Sequence, residues 1–214
     1  MTLLNAATSL AYQQHIVLDG VSWEFYEQLL REIGNRAIRV TYDRGRVEIM
    51  SPLPKHEKWK SRIGRLIEMM AFEMEIDFEP LGSTTFRRKA KKVGLEPDEC
   101  YYVEHAADIR GKDRLNLKVD PPPDLAIEVD IFSRSIARQP IYAKLGVPEL
   151  WRFTGKRFIV LELRADERYH ERDTSLAFPF LPMTEFAGFL QRMGTESNLA
   201  VLKDFQKWCR RLKR

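Results

Sequence analysis

The sequence has 214 residues, of which 44% are hydrophobic and 31% are charged, and this ordinary globular composition excludes collagen-like and disordered proteins. Its 35 lysines and arginines against 31 aspartates and glutamates give a net charge of +4, which is compatible with a nucleic-acid partner but too small to demonstrate one. The chain has no run of about 18 apolar residues and only two cysteines, so we expect a protein of the reducing cytoplasm that does not enter the membrane.

The first third of the chain shows the periodicities of a helix, a hairpin and a second helix. Ser22 is placed to cap a helix over residues 23–33, whose apolar positions recur every three or four residues. Residues 37–42 and 46–50 alternate in polarity around an Asp-Arg-Gly turn, which predicts a β-hairpin. An apolar stripe over residues 59–74 predicts a long helix that faces the core.

From residue 76 the pattern changes to short runs separated by glycine, proline and charged turns. We expect these runs to be strands of one mixed sheet: IDFEP, STTF, DECYYVEH, PPPDLAIEVD, ELWRF and FIVLEL. Residues 136–145 predict a short helix that crosses over between two strands, although Pro140 requires this helix to begin or bend near it. Two further helices are predicted near residues 183–193 and 198–211.

No repeat, low-complexity tract or flexible linker divides the chain, so we expect a single α/β domain over residues 1–214. Within it, residues 1–55 are expected to form an N-terminal extension with a helix and a hairpin. Residues 56–175 are expected to form the core, and residues 176–214 the C-terminal helices.

Three acidic residues lie on the most apolar strand candidate, residues 124–130. Because side chains alternate along a strand, Asp124, Glu128 and Asp130 are expected to share one face. Crowded carboxylates repel one another unless a cation or hydrogen-bond donors compensate them. Two interpretations stay open: charges on a solvated edge strand, or carboxylates that hold a metal ion in a cleft.

Another candidate acid, Asp98, stands at the entrance of the preceding strand candidate. Pro97 restricts the local backbone, so that the carboxylate of Asp98 can be aimed at a cleft with less freedom to lose. Pro-Asp pairs also begin ordinary turns, and the pair alone does not distinguish the two cases.

Four segments carry a family resemblance when they are taken together: GSTTFRR, GLEPDECYYV, DPPPDLAIEVD and IYAKLGVPELWRF. The chain resembles the PD-(D/E)XK nuclease superfamily from about residue 20 to residue 179, and within it a restriction endonuclease family of unassigned biological role that is abundant in cyanobacterial genomes. The resemblance implies a restriction-endonuclease-like core, an αβββαβ arrangement around a mixed β-sheet flanked by helices. It also implies that Asp98 and Glu128 are the acids that bind Mg²⁺ or Mn²⁺ for phosphodiester hydrolysis.

The lysine of the superfamily motif is absent, because the position two residues after Glu128 is Asp130. In the relatives that this chain resembles, a lysine comes from the following helix, four residues before the tyrosine of Y-x-x-x-G-V-P-E, and here that position is Arg138. Arginine stays protonated and cannot act as a base, but its guanidinium can bind phosphate and orient a nucleophile. Lys144 is an alternative source of the missing lysine.

Five residues are candidates for supporting the metal ligands or binding a second metal: Glu96, Asp124, Asp130, His56 and Glu68. His56 stands at the start of the long helix, where it could contact substrate or act as a base. Glu68 could add an acid from the same helix. Each also has a structural interpretation, as a loop charge, a backbone cap, a helix-terminal residue or a surface glutamate.

Five basic residues within six positions precede Asp98: Arg87, Arg88, Lys89, Lys91 and Lys92. We expect them to contact DNA phosphates, which positions a duplex without reading its sequence. A solvated surface loop is the alternative.

These features together predict a Mg²⁺- or Mn²⁺-dependent endonuclease that hydrolyses DNA, with a homodimer expected only by analogy with two-fold symmetric cutting of both strands. Two alternatives stay open. The chain could be a catalytically inactive nucleic-acid-binding module, in which the missing lysine marks lost chemistry. It could also be a metal hydrolase that acts on RNA or on another phosphoester.

Overall fold

The computed structural model describes residues 15–34, 36–131 and 136–213. The first fourteen residues of the expected N-terminal extension lie outside these ranges, as does Arg214. The helices are α1 (Trp23–Ile33), α2 (Pro54–Met74), α3 (Ala106–Ile109), α4 (Gln139–Leu145), α5 (Met183–Arg192) and α6 (Asn198–Leu212). The strands are β1 (His15–Leu18), β2 (Arg39–Asp43), β3 (Arg46–Met50), β4 (Glu79–Pro80), β5 (Phe86–Arg88), β6 (Val93–Leu95), β7 (Glu99–Tyr102), β8 (Leu125–Val129), β9 (Glu149–Phe153), β10 (Phe158–Leu163) and β11 (Tyr169–Arg172).

The strands form two sheets. The first, which we call the hairpin sheet, has the order β1-β3-β2-β6-β5, and all its neighbouring strands are antiparallel. The second, the core sheet, has the order β11-β10-β9-β8-β7-β4. In the core sheet β8 and β9 are parallel and the other neighbours are antiparallel, so this sheet is mixed.

The prediction of one mixed sheet from residue 76 onward is wrong in one respect. The run at residues 86–88 does not join the core sheet, because β5 and β6 form their own hairpin around the 3₁₀ turn Lys89–Lys91. That hairpin then pairs with β2 through Tyr42 and Gly94. Pairing between such distant segments is not visible in the local alternation of polarity.

The helices and the first hairpin predicted from hydrophobic periodicity are confirmed. Ser22 caps α1, since its Oγ accepts the N–H of Phe25 at 3.1 Å. α4 begins at Gln139, so that Pro140 lies in the first turn, where its missing N–H leaves no hydrogen bond unmade. The longest helix in the described part of the chain, α2, is too charged to span a membrane, and no other described helix is long and apolar enough.

In chain order, α2, β4, β7, β8, α4 and β9 give the αβββαβ arrangement that the resemblance implies. α4 is the crossover between the parallel strands β8 and β9. The chain therefore has an α/β fold with a restriction-endonuclease-like core and a mixed β-sheet flanked by helices.

α4 lies between the two sheets, and this position brings them together at one site. One buried cluster joins residues of α4 to residues of both sheets, among them Ile141 and Tyr142 from α4, Leu95 from the hairpin sheet and Leu150 from the core sheet. α2, α5 and α6 cover the core sheet with a second cluster, and α1 packs on the hairpin sheet with a third. Residues of the hairpin sheet can therefore reach side chains of the core sheet next to α4.

Candidate active site

Asp98 is fully buried at the point where the chain enters β7. Its N–H donates to the carbonyl oxygen of Ile127 at 3.1 Å, and its carboxylate oxygen Oδ2 accepts the N–H of Val129 at 2.6 Å. Both partners belong to β8. The backbone therefore holds this acid against the strand that carries Glu128.

Two side chains outside the core sheet also hold Asp98. Arg39, at the start of β2, donates from Nη1 to Oδ1 of Asp98, and its Nη2 lies 3.2 Å from Oε1 of Glu57. His56, in the first turn of α2, places Nε2 2.8 Å from Oδ2 of Asp98 and Nδ1 3.3 Å from Oε1 of Glu57. Arg39 and His56 thus bridge the same two carboxylates.

The charge of His56 is set by these contacts. Burial alone lowers the pKa of the imidazole, but the hydrogen bonds to Asp98 and Glu57 outweigh burial and raise the pKa of His56 above its ordinary value. The hydrogen bond from His56 likewise lowers the pKa of Glu57, against the opposing effect of its partial burial. The arrangement favours a positively charged ring between two carboxylates.

Glu128 is buried in the centre of the core sheet and has two partners on the α4 segment. The hydroxyl of Tyr142 donates to Oε1 of Glu128, and Nε of Arg138 lies 3.1 Å from the same oxygen in an ion pair without hydrogen-bond geometry. Nη2 of Arg138 donates to the carbonyl oxygen of Glu96. Burial beside Glu128 holds the pKa of Tyr142 well above its usual value, so the hydroxyl remains a donor.

The start of α4 explains why both partners reach Glu128. Arg138 is the N-cap residue and Tyr142 follows four residues later, so both side chains lie on one face. Lys144 points elsewhere, and its Nζ lies 3.0 Å from Oδ1 of Asp43 in the hairpin sheet. Its position does not support the alternative that Lys144 replaces the motif lysine.

A cleft of about 750 Å³ opens beside Glu128. It is lined by Asp130, Arg138 and Arg152 together with apolar side chains from both ends of the crossover. Asp130, which stands where the motif has lysine, accepts a hydrogen bond from Nη2 of Arg152 at 2.5 Å. Guanidinium groups next to buried acids suit the binding of a phosphate group.

The two acids provide the donor atoms that a hard divalent cation prefers. Asp98 is 0% exposed and Glu128 3% exposed, and each is oriented by hydrogen bonds from neighbouring residues, as metal ligands usually are. Mg²⁺ commonly binds to one or two protein carboxylates and completes its shell with water and phosphate oxygens. The carboxylates of Asp98 and Glu128 therefore suit a hard divalent cation such as Mg²⁺ or Mn²⁺, which would meet Arg39 at Oδ1 and His56 at Oδ2 of Asp98.

Glu96 lies close to Arg39 and Arg138. Its carboxylate accepts a hydrogen bond from Thr85 at 2.9 Å, while its carbonyl oxygen holds Arg138. Burial raises the pKa of Glu96, and the hydrogen bond from Thr85 and the charges of Arg39 and Arg138 only partly offset this effect. The structure thus places Glu96 beside the site, where its main-chain oxygen accepts a hydrogen bond from Arg138.

Two other predicted candidates lie away from Asp98. Asp124 precedes β8, at the end of the strand opposite Glu128, and its Oδ2 accepts the N–H of Val103 at 2.7 Å and of His105 at 3.0 Å. Asp124 is thus a backbone cap, which is the structural alternative that the sequence left open. The carboxylate of Glu68 accepts a hydrogen bond from Tyr101 at 3.3 Å and, with Glu57 and Glu99, lines a second cleft of about 360 Å³.

The cap at Asp124 predicts a pH-dependent contribution to stability. The hydrogen bond to Asp124, at 2.5 Å from Nδ1, is the largest cause that raises the pKa of His105. A raised folded-state pKa stabilises the fold below the ordinary histidine pKa of about 6.5, and this stabilisation is lost as the pH rises through the raised value. We expect His105→Gln to cost up to about 1 kcal/mol at pH 5.5, since the ring is 40% exposed, and much less at pH 9. Chemical denaturation at both pH values checks this, and equal losses would contradict it.

The basic run lies on the β5–β6 hairpin. Arg87, Lys89, Lys91 and Lys92 are exposed, and Arg88 is half-buried. Lys89 lies 3.3 Å from a carboxylate oxygen of Glu24 on α1. Because β6 leads through Glu96 to Asp98, the run lies on the segment that immediately precedes the site, and its contact with DNA stays a prediction.

Sequence reasoning missed three residues of the site, Arg39, Glu57 and Tyr142, and one buried acid of the hairpin sheet, Glu48. Glu48 is 3% exposed and lies opposite Thr41, on the face of the hairpin sheet that also carries Arg39. The alternation of polar and apolar residues in the hairpin is equally compatible with a solvated face that carries Arg39 and Glu48. The spacing of four between Arg138 and Tyr142 was the one signal that could have identified the tyrosine.

The match to known families agrees with this geometry. A family model described as "Uma2: Putative restriction endonuclease" matches residues 23–189, which is more than half of the 214 residues. The matched region contains both sheets except β1, as well as α4 and the two acids. No curated protein matches the chain.

Proposed function

Because the chain belongs to the Uma2 family, which is described as "Putative restriction endonuclease", we propose that it is an endonuclease that uses Mg²⁺ or Mn²⁺ to hydrolyse phosphodiester bonds in DNA. One observation carries the proposal. Two buried acids lie next to each other in the core sheet, Asp98 at the entrance of β7 and Glu128 on β8, and Glu128 lines a cleft whose walls also carry Arg138 and Arg152.

The side chains of the site have distinct tasks in this proposal. A divalent cation bound by Asp98 and Glu128 would activate a water molecule and neutralise charge that develops on the phosphate. Tyr142 holds Glu128 in one orientation through its hydroxyl, and His56 holds Oδ2 of Asp98. Arg138 stays protonated, so it binds a phosphate oxygen and does not act as the base.

The proposal extends to the assembly and the location of the protein. A homodimer is the simplest way to cut both strands of a duplex, because two-fold symmetry presents one site to each strand. Cys100 and Cys209 are both buried free thiols, which fits a reducing cytoplasm. We also propose that residues 1–214 act as one domain, since α4 packs against both sheets.

The test is cleavage by the purified protein of supercoiled plasmid, linear duplex, single-stranded RNA and p-nitrophenyl phosphate, with Mg²⁺, with Mn²⁺ and with EDTA. We expect nicking and linearisation of the plasmid with either metal and none with EDTA. Retardation of DNA without cleavage would support the inactive binding module instead. Turnover confined to RNA or to the small phosphoester would replace DNA as the substrate.

A further inference from the structure

We propose that Arg39 is a positioning residue that acts as the internal counter-cation of Asp98 and competes with the divalent cation for Oδ1 of that acid. This inference rests on the proposed function, because it concerns the same metal site. It assigns a role to the hairpin sheet, since Arg39 is the first residue of β2.

The contacts of Arg39 support the first part of this proposal. Its side chain is 7% exposed and that of Asp98 is 0% exposed, so the pair is removed from solvent. A buried carboxylate without a compensating charge is strongly unfavourable, and the guanidinium at Oδ1 supplies that charge together with the imidazole of His56 at Oδ2. Nη1 of Arg39 also lies 3.4 Å from the carbonyl oxygen of Pro97, the residue before Asp98. Arg39 thus holds both the acid and the backbone that aims it.

The second partner of Arg39 makes an exchange possible. Nη2 lies 3.2 Å from Oε1 of Glu57, whose side chain is 44% exposed and is not one of the two proposed metal ligands. If a cation takes Oδ1 of Asp98, Arg39 can keep its bond to Glu57, so its charge is not left buried and unpaired. The guanidinium is also close enough to a bound dication to repel it, which lowers the affinity of the site for metal.

A purely structural brace and a competing counter-cation predict opposite effects on metal binding. Removing a brace loosens Asp98 and weakens the binding of metal. Removing a competitor strengthens the binding of metal, even though the metal-free protein becomes less stable. The sign of the change in Mn²⁺ affinity therefore distinguishes the two roles without any measurement of cleavage.

The experiment measures Mn²⁺ binding by electron paramagnetic resonance, without nucleic acid, in wild type, Arg39→Gln, Arg39→Lys and Asp98→Asn. Arg44→Gln is the matched control, since Arg44 lies in the turn of the same hairpin, carries the same charge and is 66% exposed. We expect Arg39→Gln to bind Mn²⁺ at least about tenfold more tightly than wild type. Arg39→Lys, which keeps the charge, and Arg44→Gln should stay within about threefold of wild type.

Each outcome decides the proposal. Unchanged or weaker Mn²⁺ binding by Arg39→Gln overturns the role of Arg39. If Asp98→Asn loses Mn²⁺ binding in the same experiment, the proposed metal site still stands. If neither wild type nor Arg39→Gln binds Mn²⁺, the proposed metal site fails, and this inference fails with it. If Arg39→Gln is unfolded without metal, the proposal requires that Mn²⁺ restore its folding, and failure of Mn²⁺ to do so overturns the proposal.

Discussion

Replacing Asp98 by asparagine should lower the rate of DNA cleavage by at least about a thousandfold at saturating Mg²⁺. The amide keeps the size of the side chain and one acceptor oxygen, but it removes the negative charge that binds the cation. Whichever way the amide turns, its NH₂ group replaces one carboxylate oxygen and faces either Arg39 or the pair His56 and Val129. Single-turnover cleavage of a labelled duplex measures the loss.

The matched control is Glu68→Gln, the same change of acid to amide on a residue that hydrogen-bonds to Tyr101 and lines a cleft whose walls include neither Asp98 nor Glu128. Its amide oxygen can still accept the hydrogen bond from Tyr101, so we expect cleavage within about threefold of wild type. Glu128→Gln should resemble Asp98→Asn in cleavage. Cleavage near the wild-type rate in Asp98→Asn, with its fold confirmed by circular dichroism, would remove Asp98 from the catalytic assignment.

Local signals were sufficient to predict most elements of the fold. The cap at Ser22, the apolar stripe of α2 and the position of Pro140 in the first turn of α4 depend on residues a few positions apart, and the structure has each of them. The crossover between β8 and β9 was predictable for the same reason, because parallel strands require a helix or a long loop between them.

The second sheet and its contribution to the site were not predictable in this way. Arg39 and Asp98 are 59 residues apart, and they meet only because β6 pairs with β2 and α4 fills the space between the sheets. An alternating strand does not reveal whether its polar face meets water or another layer of the protein. The sequence left Asp124 open between a site residue and a backbone cap, because that residue precedes β8 and need not follow the alternation of the strand.

Gly94 is the position in the hairpin sheet where a small change should have the largest effect on stability. It lies in β6 opposite Tyr42, and a Cβ atom there would lie 2.2 Å from the hydroxyl oxygen of Tyr26 and 2.8 Å from Cζ of the same ring. Tyr26 is fully buried, stacks on Tyr42 at 4.9 Å and packs edge-on against Trp23 at 5.2 Å. The ring therefore has little room to move, and the helix α1 that carries it must shift.

We expect Gly94→Ala to destabilise the fold by about 3 kcal/mol, which corresponds to a melting temperature lower by roughly 10 °C. Tyr26→Phe removes a hydroxyl that is buried and has no hydrogen-bond partner among the described residues, so this change alone should be neutral or stabilising. In the double variant the nearest clash is gone, and we expect the two effects to be non-additive, with at least about 1 kcal/mol recovered. Because β6 leads to Asp98 and pairs with the strand of Arg39, the same variant should also weaken the binding of Mn²⁺. Additive changes in the double-mutant cycle, measured by chemical denaturation, would show that Gly94 is needed for some reason other than its contact with Tyr26.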